Sequence, residues 1–153
     1  MAKTSWLKTL RAHFPGIAFV EGDSFRWSPR NSTVYAGSLE TNSDLMTLLH
    51  ETGHALADHV TYTQDIQLIK LEREAWDIAK TRLAPLFNIE ITDDTIEEAL
   101  GSYRDWLHAR SRCPECESTG VQQDELHYRC LACQTTWKVN DARTCQLRRY
   151  IKK

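Results

Sequence analysis

His50-Glu51-Thr52-Gly53-His54-Ala55-Leu56 is the stretch from which the rest of the chain can be read. It sets an H-E-x-x-H pattern inside a segment of helical spacing. Leu45, Met46, Leu48, Leu49, Leu56 and Val60 supply the apolar positions, and Asn42 or Ser43 stands where an N-cap belongs. A helix is therefore expected from there to about Val60. Residues four apart on a helix share one face, so His50 and His54 would aim two imidazoles at one point. Imidazole nitrogen is a zinc ligand. Glu51 leans over the same point, where its carboxylate can take a proton from a water acidified by the ion. Chance occurrence of the pattern is the plain alternative, and the surrounding residues must decide.

A catalytic zinc usually takes three protein ligands and keeps one position open. The metzincin extension H-E-x-x-H-x-x-G-x-x-H fails here, because Ala57 and Val60 hold its last two positions. His59 sits one residue short and is expected to face solvent. The other common solution is a Glu on the following helix, expected from Gln64 to Leu83 and ended before Pro85. At ~100° per residue, Leu68, Ile69, Leu71, Ala75, Trp76, Ile78, Ala79 and Leu83 fill one arc. Glu72 lies near the centre of that arc and Glu74 outside it. An ionised Glu amid a core-facing stripe is costly unless it is paired or metal-bound. Glu72 is thus the expected third ligand, with Glu74 the alternative. A buried ion pair with an Arg is the purely structural account of Glu72.

At these residues the sequence resembles a family. Glu72-Arg-Glu-Ala-Trp-Asp-Ile-Ala79 is similar to the E-x-E-A-x-x-[apolar]-A glutamate helix of small gluzincin metallopeptidases, and His50–Leu56 to their H-E-x-G-H-A-L helix. ImmA/IrrE-type metallopeptidases and the minigluzincins are nearest in pattern. The resemblance spans residues 33–83 and rests on the two motifs. It implies that the first Glu of E-x-E-A, Glu72, is a ligand. It also implies a small twisted sheet packed on the active-site helix, with an edge strand that binds extended peptide. Thr33-Val-Tyr-Ala36 is the expected edge. Larger gluzincins carry an Asp four residues after the ligand Glu, bracing a zinc-bound His. Here Trp76 takes that place with Asp77 beside it, leaving the brace open.

Composition agrees with a globular chain. Of 153 residues, 41% are hydrophobic, enough for a core, and 19 basic against 21 acidic residues leave a net charge of −2. That balance exerts no global pull toward nucleic acid or an acidic membrane. No apolar run reaches signal-peptide or membrane-span length, so a cytoplasmic protein is expected. Upstream, Ser5 can cap a short helix to about His13, ended by Pro15-Gly16. Strands are expected at 17–20, 24–28 and 33–36, forming a small, mostly antiparallel sheet. Downstream, Thr92 starts a helix reaching about Ser111.

Cys113-Pro-Glu-Cys116 and Cys130-Leu-Ala-Cys133 follow, with thirteen residues between the pairs. Two C-x-x-C turns at such spacing read as a zinc ribbon, each turn presenting two thiolates to one tetrahedral ion. Four Cys leave no open position, so this zinc is structural; two disulfides are the alternative. Arg129, Lys138, Arg143, Arg148, Arg149, Lys152 and Lys153 make this end basic, either as a solvated tail or as a contact for nucleic acid. Cys145 is left over, an idle thiol or a ligand that blocks the catalytic ion.

The expected architecture is α+β: a zincin-type domain over roughly 1–110, a ribbon over 111–145 and a basic tail over 146–153. The expected activity is peptide hydrolysis, with one catalytic and one structural Zn²⁺, Glu51 as base and protein or peptide as substrate. Tyr35 and Tyr62 are unranked candidates for a second oxyanion donor. The alternatives are a non-proteolytic regulator or a protein- or nucleic-acid-binding adaptor on the same scaffold, or an SprT-like DNA-associated protease. The last generally needs a third histidine.

Overall fold

The computed structural model describes residues 2–60, 64–140 and 147–151. Tyr62 and Cys145, and with them the latency expectation, lie outside the described residues. The chain is α+β and divides into two compact units, residues 1–61 with 70–96 and residues 62–69 with 97–153. Among the described residues no helix is long and apolar enough to cross a membrane.

In the first unit, α1 (Ala2–His13) precedes strands β1 (Ala18–Glu21), β2 (Arg26–Ser28) and β3 (Thr33–Ala36). Their order is β1-β3-β2, with β3 parallel to β1 and antiparallel to β2. Two expectations change. The sheet is mixed rather than mostly antiparallel, and Thr33–Ala36 is its central strand, not an edge. Burial is the reason. Thr33, Val34 and Ala36 are all buried, whereas Phe19 is the one buried residue of β1. A strand that hides most of its side chains, and pairs both rows of backbone groups, belongs in the middle.

Helix α2 (Asn42–Leu56) packs on β2 and β3. Its cap is Thr41, upstream of both expected caps, Asn42 and Ser43. The Thr41 hydroxyl accepts from the Asp44 N–H at 3.2 Å, and the Asp44 carboxylate accepts from the Thr41 N–H at 2.9 Å. This reciprocal pair satisfies two donors that a helix start leaves open. The far end comes four residues before Val60. Asp58 is left-handed (φ 55°), and the N–H groups of Asp58 and His59 donate back to Ala55 O (3.1 Å) and His54 O (3.0 Å). This is a Schellman ending, usually built on glycine. Glu72 lies on α3 (Asp65–Ile78), which gives way to a π-turn at Ala79–Leu83 and a 3₁₀ turn at Ala84–Phe87 instead of continuing regularly to Leu83.

Helix α4 (Asp93–Ser111) starts at Thr92, whose hydroxyl accepts the Thr95 N–H at 3.2 Å. In the second unit an antiparallel sheet has the order β4-β5-β6-β7: Val121–Gln122, His127–Arg129, Thr136–Val139 and Arg149–Ile151. Thus Arg149–Ile151, inside the segment read as a basic tail, form a strand. Tyr128 and Trp137 pair across β5 and β6 and stack at 5.7 Å, both almost fully buried. Gly120 lies under that pair, where a Cβ would come within 2.4 Å of the Trp137 ring. Arg110, 2% exposed, donates to Glu125 O at 2.6 Å and covers the Trp106 ring at 4.4 Å. Its charge is answered by Asp65 at 3.9 Å, and the Tyr128 hydroxyl donates to the same carboxylate. A buried guanidinium without such partners would be costly.

Candidate metal centres

Helical spacing brings the imidazoles of His50 and His54 together, their Nε2 atoms 3.2 Å apart. Glu72, 5% exposed, reaches them from α3: its Oε2 lies 2.7 Å from His50 Nε2 and 3.3 Å from His54 Nε2. Among the described residues the partner of this buried carboxylate is therefore the histidine pair rather than an Arg. Glu74 does not join the cluster as an alternative ligand; its Oε2 stands 3.4 Å from His59 Nε2. Three ligand atoms that converge this closely repel unless protons or a cation lie between them. A tetrahedral zinc with bonds of about 2.0–2.1 Å has ligand atoms about 3.3 Å apart. Two of the three separations, 3.2 and 3.3 Å, match that value and the third, 2.7 Å, is shorter, so a small opening of the cluster would fit a metal ion.

The carboxylate of Glu51 completes the group, with its ligand atom and those of His50 and His54 all within 4.8 Å of one another. Its Oε2 accepts the backbone N–H of Trp27 at 3.0 Å, which fixes the rotamer. Burial pushes the Glu51 carboxyl above its ordinary value, against the opposing pull of His50, His54 and the Trp27 N–H. Burial also works to raise Glu72, but hydrogen bonds and charge from both histidines outweigh it and hold that carboxyl well below the usual range. The two acids are thus shifted in opposite directions, Glu51 up by burial and Glu72 down by its two histidines.

Gly53 makes the convergence possible. A Cβ there would lie 2.3 Å from Ala75 O and 3.1 Å from Ala75 Cα. Only a residue without a side chain lets α2 approach the backbone of α3 closely enough for Glu72 to reach the imidazoles. Trp76, four residues after Glu72, stacks on His50 at 4.4 Å and 22°. That ring is oriented by packing, and His50 Nδ1 has no hydrogen-bond partner among the described residues. His59 corrects a further expectation. It is 8% exposed rather than solvent-facing, and its Nδ1 lies 2.9 Å from His54 Nδ1.

Sequence reasoning missed three contributors: Trp27, Gly53 as a spacer, and His59. Trp27 carries no local signal, being far from Glu51 along the chain. His59 would have been found only by recognising that Asp58 turns left-handed, a conformation that glycine usually announces. Tyr35, considered as an oxyanion donor, has its hydroxyl 3.1 Å from Asn31 Nδ2, with Arg26 over its ring at 4.5 Å.

The second centre lies in the second unit. Cys113, Cys116, Cys130 and Cys133 are free thiols whose sulfurs all lie within 4.8 Å of one another. Cys113 and Cys133 are 3.7 Å apart and Cys116 and Cys130 3.5 Å apart, near the edge of about 3.8 Å for four thiolates bonded at about 2.3 Å. Neither pair stands at the ~2.05 Å of a disulfide bond. The two turns are built alike. Glu117 and Gln134 are both left-handed, and their N–H groups donate to Cys113 O (3.0 Å) and Cys130 O (2.9 Å). The N–H groups of Cys113 and Cys130 in turn reach Ser118 O and Thr135 O, each at 2.8 Å. Hydrogen bonds from the Ser118 hydroxyl and backbone lower Cys116 to about 6, and those from Thr135 lower Cys133. These two shifts favour thiolate, the form that binds metal. At Cys130, backbone hydrogen bonds are outweighed by burial and the Cys116 contact, which push it up to about 11.

Both candidate centres thus show the donor types and spacings of metal sites. No family model, curated protein or solved structure matches this chain. The reading of its function rests on the geometry of its own residues.

Proposed function

We propose that the chain is a zinc-dependent metallopeptidase of gluzincin type, with His50, His54 and Glu72 as ligands of the catalytic ion and the four ribbon cysteines as ligands of a structural one. The observation that carries this reading is the meeting of two imidazoles and the buried Glu72 carboxylate beside a second carboxylate, Glu51. A zinc ion bound there would supply Lewis acidity, polarising a peptide carbonyl and acidifying water. Glu51 takes the proton from the attacking water and returns it to the leaving amine. The Trp27 N–H holds the Glu51 carboxylate in place through both transfers.

The substrate lies along β2. That strand ends the β1-β3-β2 sheet on the side of Glu51, since the outward N–H of Trp27 meets the catalytic carboxylate. An extended peptide laid against that edge would pass the ligand cluster. A purely architectural site has no use for an acid such as Glu51, which favours an enzyme over an adaptor. A nucleic-acid role gains little support from the basic residues: Arg129 bonds Gln134 at 3.1 Å and Arg149 donates to Arg112 O at 2.6 Å.

Metal analysis tests the ligand set. The parent should carry two zinc ions per chain, Glu72→Ala and His50→Ala one, and Glu74→Ala two. Full occupancy in Glu72→Ala would overturn the assignment. The ribbon makes a separate prediction, because four thiolates hold zinc more firmly than the open three-ligand site. In a chelator titration followed with a thiol reagent, the His50-dependent zinc should leave first, with the ribbon thiols still protected. The four cysteines should react only when the second zinc departs; early reaction of all four would remove the structural zinc from the reading.

A further inference from the structure

We propose that His59 is a positioning residue of the metal centre, holding His54 in the orientation that aims Nε2 at His50 and Glu72. This rests on the metal reading above and extends it to a residue outside the ligand set. The two Nδ1 atoms are 2.9 Å apart and the rings meet edge to face at 5.1 Å. Two facing ring nitrogens at that distance require one proton between them. When the lone pair of His54 Nε2 serves the cluster, its proton sits on Nδ1 and is donated to His59 Nδ1. The proton of neutral His59 then sits on Nε2, which faces Glu74 Oε2 at 3.4 Å. That contact is within ion-pair range but lacks hydrogen-bond direction, since His59 Nε2 has no hydrogen bond among the described residues. The Nδ1 contact is therefore the defined one, and Glu74 biases the tautomer through its charge.

The backbone holds His59 in place independently. The Schellman ending returns the chain at Asp58, the His59 N–H donates to His54 O at 3.0 Å, and Trp27 Nε1 donates to His59 O at 2.8 Å. The residue that positions Glu51 through its N–H thus also secures His59 through its indole. Packing alone does not account for a histidine here. Burying an imidazole with one nitrogen unbonded is unfavourable where a leucine or phenylalanine would fill the space, unless the other nitrogen has a task. The two ligand histidines are consequently oriented by different means, His50 by the face of Trp76 and His54 by a hydrogen bond.

The test measures zinc affinity by chelator competition on the full chain, with His50→Ala identifying which equivalent belongs to this centre. His59→Phe should weaken that equivalent about 10–100-fold and leave the cysteine equivalent unchanged. His59→Asn can place an amide oxygen where Nδ1 stands and should return affinity to within a few-fold of the parent. His59→Gln places its amide nearer the Nε2 position and should stay weak. This matched polar pair keeps the test decisive even where His59→Phe does not fold. Parental affinity in His59→Phe, or equal affinity in the Asn and Gln variants, would overturn the role of His59 while leaving the metal centre intact. Absence of any His50-dependent zinc in the parent would instead overturn the metal reading, and this inference with it.

Discussion

Glu51→Gln is expected to lower peptide hydrolysis by about 10²–10⁴-fold while leaving both zinc equivalents in place. Glutamine keeps the length of the side chain, and its amide oxygen can still accept the Trp27 N–H that Glu51 Oε2 accepts at 3.0 Å. What disappears is the capacity to take a proton. Glutamine matches glutamate in shape, so the variant should fold as the parent does. The combination to look for is lost turnover on an unfolded protein substrate, unchanged metal content and an undiminished melting temperature. Turnover equal to the parent would remove Glu51 from the chemistry. Lost metal would mean that its carboxylate is a ligand instead.

Gly53→Ala is expected to damage both fold and metal centre, although in a solvated helix the same change would add up to about 1 kcal/mol. The new methyl would stand 2.3 Å from Ala75 O, a backbone atom that cannot rotate away. Restoring ordinary contact at 3.4 Å requires the two helices to part by 3.4 − 2.3, about 1 Å. Overpacking of this kind costs about 1–3 kcal/mol, and for a chain of this size each kcal/mol lowers the melting temperature by roughly 2–4 °C. The same displacement draws Glu72 away from His50 and His54. Zinc affinity should therefore fall at least tenfold together with stability. A variant that melts at or above the parent temperature with unaltered affinity would show that the helices are free to adjust, and that Gly53 is no spacer.

The two effects differ in how far they could be foreseen. Glu51 is marked by a motif whose chemistry is local, an acid beside two histidines on one helix. Gly53 lies in the same motif, yet its importance depends on a backbone carbonyl of α3 that no property of residues 50–56 reveals. The same contrast runs through the ligand set. Helical periodicity separates Glu72 from Glu74, because burial of a carboxylate follows from its place among the apolar positions of its own helix. It says nothing of where Glu74 goes, and the answer is His59.

The sheet repeats the lesson. Segments near 17–20, 24–28 and 33–36 are legible as strands from composition and turns, but not their order. Pairing energy is spread over the whole ladder, and the central place goes to the strand whose side chains are most buried from both sides, here β3.

By itself the sequence determined what depends on short-range periodicity and on side-chain chemistry. It set His50 and His54 on one helical face, Glu72 on the inner face of the next helix, and two thiol pairs on two tight turns. Tertiary structure alone decided the rest: β2 rather than β3 as the edge beside Glu51, the close approach at Gly53, and the bond of His59 to His54. Each of these joins residues through helix ends or backbone groups, whose partners are chosen by packing and hydrogen-bond satisfaction across the fold rather than by neighbours along the chain.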